Sequence, residues 1–242
     1  MIILIKLPIV ESFEMLTLKV KLRHQVDEAG DLIRQIRSTA SVTSKLLYLQ
    51  LGFMNRMGSV SWSQKRQLLA EIDQMLGNLE VPRSEIDEWK RPFMNLIMRD
   101  LLAILWGAIR HLKQRHLNVA QSALEAYKIA NSPIMAGDPE YARLCSELQR
   151  FHQPAMEIGD VLQGPALRDL STLTEGWIAQ DIFAPAELFA LETMRSEIIE
   201  YGNECWGAGS ITTATESYLD RHSDRTDTRI SEILSDPAAL GT

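Results

Sequence analysis

The chain has 242 residues, of which 45% are hydrophobic and 24% are charged, and its formal net charge is -7 at pH 7. This composition is typical of a soluble globular protein and excludes wholesale disorder. The acidic balance gives no global indication of nucleic-acid binding. The two cysteines, Cys145 and Cys205, form no disulfide framework, so they predict reduced thiols in a cytoplasmic protein.

The choice of apolar residues favours helix nearly everywhere. Leu occurs 32 times and Val only 8 times. Leu loses little rotamer freedom in a helix, whereas β-branched residues lose more. We therefore predict a mainly α fold, a multi-helix bundle in which residues of about 24–79 form a long N-terminal helical hairpin.

The first residues are the exception to this helical pattern. Residues 2–5 form a short β-branched run, and apolar and polar residues alternate over residues 16–22. Alternation with a period of two predicts a strand, so we expect a short N-terminal β-strand pair. Such a pair is marginal alone and would need a helix or another chain. Lys6 interrupts the first run, which is too short for a signal peptide.

A long helix is predicted from about residue 26. Val26, Ile33, Leu47 and Met54 follow a spacing of seven, with Ala40 between them. A heptad of apolar residues is typical of a coiled-coil seam. We call Val26, Ile33, Leu47 and Met54 the seam and predict that they bind a partner helix. Ala29 and Ile36 accompany the seam at a three-residue offset, although Thr43 and Gln50 weaken that second line.

Residues 93–112 are the most apolar segment of the chain, and their length approaches a membrane span. Five polar residues interrupt the segment, and a charged side chain at mid-bilayer costs about 2.5–3.5 kcal/mol even on the insertion scale. The pattern therefore favours a buried core helix, which Pro92 is expected to interrupt or kink at its start. The five polar residues are Asn95, Arg99, Asp100, Arg110 and His111.

Residues 132–138 form the clearest break between two predicted helices. Asp138 is predicted to be the N-cap of the second helix, and Pro139 its first helical residue. We predict an N-terminal region, 1–131, with the strands, the hairpin and the core helix. An acidic C-terminal helical region, 139–242, follows, either as a second domain or as part of the same bundle.

Catalytic signals are weak. The chain has no phosphate-binding glycine loop, no His-Glu-x-x-His motif and no paired Cys-x-x-Cys motif. Asp100 and His111 lie on the otherwise apolar side of the core helix, so they are the catalytic candidates for a hydrolase with a pocket beside residues 93–112. A structural salt bridge for Asp100 is the competing interpretation. We predict no metal site and no cofactor.

The two halves of the chain differ in charge. Residues 1–121 carry 17 basic and 12 acidic side chains, whereas residues 122–242 carry 8 and 20. Arg23, Arg34, Lys45 and Arg56 are spaced by eleven residues, close to three helical turns, and form what we call the basic ridge. The ridge is expected to bind the acidic half of this chain or of a second copy. A solvated face and an external anionic partner are the alternatives.

These patterns predict a non-enzymatic cytoplasmic interaction or scaffold protein that self-associates through its coiled-coil-like helix. The expected partner is a second copy, forming a homodimer, or another helical protein. A hydrolase and a peripheral membrane-associated helical protein are the alternatives. Nucleic acid is an unfavoured partner because the ridge is sparse and lacks aromatic residues, and the sequence leaves any small-molecule ligand unknown.

Overall fold

A computed structural model describes residues 7–54, 60–151, 167–179, 181–222 and 226–235. These ranges contain helices and connecting turns, which confirms the predicted mainly α fold. In chain order the helices are α1 (Leu7–Phe53), α2 (Trp62–Asn78), α3 (Arg83–Ala130), α4 (Pro139–Phe151), α5 (Leu170–Leu173), α6 (Pro185–Ala208), α7 (Thr213–His222) and α8 (Thr226–Ser235).

The predicted N-terminal strand pair is wrong where the structure describes it. Residues 16–22 lie inside α1, which runs without interruption from Leu7 to Phe53. Leu18, Leu22 and Val26 are also four residues apart, so the same apolar residues fit a helical period, and the longer helix includes them. Residues 2–5, the other proposed strand, lie outside the described residues.

α3 is the central element of the fold. Its 48 residues give it a length of about 72 Å. Side chains around most of its circumference are buried, and α1, α4 and α6 pack against it. Its length and composition would allow it to cross a membrane, but 61% of its most apolar window is buried inside the protein. The structure thus places residues 93–112 as a core helix.

Pro92 does not end the helix as the sequence suggested, because α3 continues through it from Arg83. Proline removes one backbone donor and so leaves the carbonyl of Glu88 without its helical partner. Both residues are exposed, so water can take the place of that donor and the helix can continue.

α1 and α2 run antiparallel and are tied by polar contacts at two levels. Tyr48 Oη donates to Asp73 Oδ1 over 2.9 Å, and Arg37 Nη2 donates to Glu80 Oε2 over 2.8 Å. Gly52 lets α1 approach α3 closely, since a Cβ at this position would collide with the side chain of Leu96.

Ser61 and Asp138 cap the starts of α2 and α4, and the predicted N-cap at Asp138 is confirmed. Ser61 Oγ accepts from the backbone N–H of Gln64, whose side chain accepts in return from Ser61 N–H, which is a capping box. Asp138 Oδ1 accepts from the backbone N–H groups of Glu140 and Tyr141 at the start of α4. These bonds satisfy donors that a helix start otherwise leaves unpaired.

Helices from both predicted regions contribute to one hydrophobic core. The core joins α1 and α2 to the central α3, and α6, α7 and α8 of the acidic region pack on the same residues. The buried Lys90 of α3 connects the two regions directly, since its Nζ donates to Asp73 of α2 and to the carbonyl oxygen of Gly209.

The C-terminus of α6 depends on glycine at one position. Gly209 follows the helix with φ of 59°, the left-handed conformation, which costs a residue with a Cβ about 1–2 kcal/mol. Its N–H donates to carbonyls of the last turn. Gly207, two residues earlier, has helical geometry, and a Cβ there would meet open space.

We therefore predict opposite effects for two neighbouring substitutions. Gly209→Ala should lower the free energy of unfolding by about 1–2 kcal/mol, whereas Gly207→Ala should raise it by up to about 1 kcal/mol because alanine is the better helix former. Urea unfolding followed by circular dichroism measures both. Equal effects of the two substitutions would contradict the assigned helix end.

Candidate functional site

The candidate site is α1, whose residues 19–39 lie in solvent around the whole circumference of the helix. Every residue from 19 to 39 is exposed, except that Gly30 is half-buried. From Ala40 onward one face of the helix packs on the protein, through Ser44, Tyr48 and Leu51. We call residues 19–39 the overhang. Among the overhang residues, only Arg37 makes a polar contact with another part of the described chain, and its partner is Glu80.

The structure divides the four seam residues. Val26 and Ile33 lie on the overhang with 67% and 50% of their surface exposed. Leu47 packs on the hydrophobic core, and Met54 is exposed at the end of α1. The seam is therefore one face of α1 that contacts the core at its C-terminal end and is uncovered along the overhang.

The basic ridge does not act as one unit. Arg23 and Arg34 are exposed, and Arg34 pairs with Asp31 on the same helix. Lys45 Nζ lies 5.1 Å from the ring centroid of Trp89. Within the described residues, no ion pair joins these three to an acidic side chain of the C-terminal half. Arg56 lies outside the described residues.

Sequence analysis missed a second exposed apolar line on α1. Val42, Leu46, Leu49 and Phe53 follow one another at spacings of four, three and four residues, which places them on one helical face. This face points away from the core, and 58%, 56%, 37% and 47% of the four residues' surfaces are exposed. We call these four residues the outer stripe. The spacing was visible in the sequence, but the more regular heptad of the seam concealed it.

Asp100, the first catalytic candidate, belongs to an electrostatic contact between α3 and α2. It is half-buried and raises the pKa of Lys65, whose side chain is buried. Lys65 Nζ lies 4.1 Å from the ring centroid of Trp62, and it has no hydrogen-bond acceptor among the described residues. Burial outweighs the field of Asp100 and lowers the pKa of Lys65 to about 8.

His111, the second candidate, is exposed and lies eleven residues beyond Asp100 on the same helix, about 16 Å along the axis. The two side chains therefore cannot meet at one substrate atom. A cavity of about 140 Å³ beside the helix is lined by Trp106, Arg110 and Phe151 among others, and a cleft of about 710 Å³ lies near its start. Neither Asp100 nor His111 lines them.

A different histidine has an ordered carboxylate partner. His116 Nε2 donates to Glu187 Oε2 over 2.7 Å, and Arg115 pairs with the other oxygen of this buried carboxylate. Burial acts to raise the pKa of Glu187, but the bonds from His116 and from Ala184 N–H, with the charge of Arg115, hold it below its ordinary value. The group ties α3 to the first turn of α6.

The described residues contain no group of three or more His, Cys, Asp or Glu side chains that could hold a metal ion. Glu200 and Glu204 of α6 are exposed. Glu197, on the same helix, is half-buried and pairs with Arg229 of α8.

Comparison with protein-family models, with curated proteins and with solved structures gives no match to this chain. Arguments about its function therefore start from the geometry of its own residues. Among the candidates that the sequence indicated, α1 presents exposed apolar side chains, whereas Asp100 acts on Lys65 and His111 lies too far from Asp100 to share a substrate atom with it.

The buried Lys65 gives a prediction about pH. Its pKa is about 8 in the folded chain and 10.5 ordinarily, so between these values the unfolded chain holds a proton that the folded chain has released. The free energy of unfolding must therefore rise with pH in this window. Below pH 8 the buried charge is retained at a cost on the order of 3 kcal/mol.

Lys65→Met should stabilise the protein at pH 7 and leave little difference from the natural chain at pH 10.5. Urea unfolding of both proteins at pH 7, 9 and 10.5 measures this, and the difference between them isolates Lys65 from other titrating groups. A difference that does not change with pH would contradict the assignment.

Proposed function

We propose that this protein is a non-enzymatic, cytoplasmic helical interaction protein that self-associates through α1. The observation that supports this proposal is the overhang, a helical segment with an apolar face that the described residues leave exposed. Both cysteines are free thiols, which is typical of proteins in a reducing compartment.

The overhang cannot account for its own stability. Most helical stability in proteins comes from packing of an apolar face rather than from intrinsic propensity. Leu22, Val26, Ile33 and Ile36 lie on one face of the overhang, and each is between 46% and 67% exposed. A continuous exposed apolar line of this length is typical of a protein–protein contact.

A second copy fits this face in antiparallel orientation. When two overhangs pair about a two-fold axis at residue 31, the numbers of facing residues add up to 62. Val26 then faces Ile36 of the second copy and Ala29 faces Ile33, and the symmetry repeats both contacts. Leu22 then faces Ala40, at the edge of the body. This match about a two-fold axis is what an isologous dimer requires, and an antiparallel pair of a and d positions supplies the layers of a coiled coil.

Side chains beside the face also suit the pairing. Leu32, which is 58% exposed, would meet its own copy near the two-fold axis. Arg23 would approach Arg37 of the second copy, but Glu80 already pairs with Arg37 and is itself well exposed. The carboxylate of Glu80 can therefore compensate for the two like charges.

The test is Ile33→Asp, which places a charge in the middle of the proposed contact. We expect it to raise the dimer dissociation constant at least about thirty-fold, the effect of losing a central interface residue. Sedimentation at several concentrations measures the mass. Ser38→Asp, on the opposite side of the same overhang, is the matched control and should leave this contact intact.

Thermal unfolding followed by circular dichroism shows whether both variants stay folded. Monomers of the natural chain at every concentration would contradict self-association, and equal masses of Ile33→Asp and the natural chain would place the contact elsewhere.

A further inference from the structure

The outer stripe has no role in the proposed seam contact. Each residue of an α-helix is rotated by about 100° about the helix axis from the residue before it. This rotation places the outer stripe on the opposite side of α1 from Val26 and Ile33. One partner helix therefore cannot cover both faces. A helix that is apolar all round is normally surrounded by protein, and the C-terminal part of α1 has the core on one side and the exposed stripe on the other.

We propose that the outer stripe is a second self-association surface, which binds the outer stripe of another copy in antiparallel orientation. This inference extends the proposed self-association through α1, but it concerns a different face of the helix. The assembly would therefore continue beyond a dimer.

The spacing of the stripe supports a second copy as the occupant. Under a two-fold axis between residues 47 and 48, Val42 meets Phe53 and Leu46 meets Leu49, and each contact is repeated by symmetry. All four side chains then take part in the contact. In heptad notation, every residue at position a faces a residue at position d of the second copy, as in antiparallel coiled coils. A stripe that matches its own reverse is the property that an isologous contact needs.

The charges around the stripe also suit a second copy. The positions that flank it on α1 are Thr43 and Gln50 on one side and Lys45 and Gly52 on the other. Lys45 is the one charged residue of this set, and it already contacts the ring of Trp89. In the antiparallel pair Lys45 lies opposite Gly52 of the second copy, which is buried beside Leu96 of α3, so no like charge faces Lys45.

The buried and exposed faces of α1 keep the described parts of the two bodies apart. The core packs on one side of α1 and the outer stripe lies on the other, so paired stripes would place the bodies on opposite sides of the two central helices. The four residues are between 37% and 58% exposed and offer only a small apolar area in each copy. This is less than the roughly 800 Å² per partner of a standard interface, so we expect a reversible, concentration-dependent contact.

The experiment removes each surface separately and together. Sedimentation velocity and light scattering over a concentration series would compare the natural chain with Ile33→Asp, Leu46→Asp and the double variant. The expected masses at high concentration are above a dimer for the natural chain, a dimer for each single variant and a monomer for the double variant. Ser122→Asp, at an exposed position of α3 away from α1, adds the same charge outside the stripe and is the control, and circular dichroism confirms that each variant is folded.

The two proposals fail in different ways. If Ile33→Asp alone yields monomers at every concentration, the stripe contact is overturned and the seam contact stands. If Leu46→Asp has the same mass distribution as the natural chain, the stripe contact is also overturned. If Ile33→Asp has no effect but Leu46→Asp yields monomers, the stripe contact stands and the seam contact fails.

Cross-linking tests the orientation. In a Cys145→Ser background, chains with Leu46→Cys mixed with chains with Leu49→Cys should form a disulfide-linked dimer on mild oxidation, and either chain alone should not. Cys205 is buried and is left unchanged. Efficient cross-linking of Leu46→Cys chains with one another would indicate a parallel pair and overturn the antiparallel contact.

Discussion

The structure depends on the burial of α3. Its residues from Phe93 to Leu112 are apolar on most sides, and every other long helix of the described chain packs directly on it or on a helix that does. At about 25 cal/mol per Å² of apolar surface, burial of such a helix contributes strongly to the stability of the fold. The other helices are positioned by the need to cover it.

α1 is covered only in part. Tyr48 and Leu51 are buried against the core, whereas the seam face of the overhang and the outer stripe remain exposed. The same helix therefore completes the core of its own chain and presents apolar surface to others. This combination of roles is why we propose α1, rather than a cavity, as the functional surface.

The electrostatic contacts also favour α1 over the charged residues as the proposed functional surface. Asp100 acts on the buried Lys65, and Glu187 is held by His116 and Arg115. Both groups join helices of one chain, and their ionisable side chains are occupied by that task. Most of the large apolar side chains that are exposed in the described protein lie on one helix, α1.

Much of the fold could be predicted from local patterns. The central helix follows from its apolar run, and Ser61, Asp138 and Gly209 act at helix ends as their residue types suggest, because capping depends on a few neighbouring residues. Residues 16–22 were mistaken for a strand because their short alternation also fits a helix.

Contacts between distant residues could not be predicted. Lys65 and Asp100 are 35 residues apart, and His116 and Glu187 are 71 apart, so only the packing of helices brings them together. For the candidate site, the heptad identified α1 correctly as a helix with an apolar face. Which parts of that face stay exposed depends on where the body of the protein ends, and a single sequence does not show this.

Hydrogen exchange of the natural chain at low and high protein concentration tests the central claim most directly. Self-association through α1 predicts that amides between residues 19 and 53 exchange more slowly at high concentration, while those of α3 and α6 do not change. Concentration-independent exchange along the whole of α1 would contradict the account.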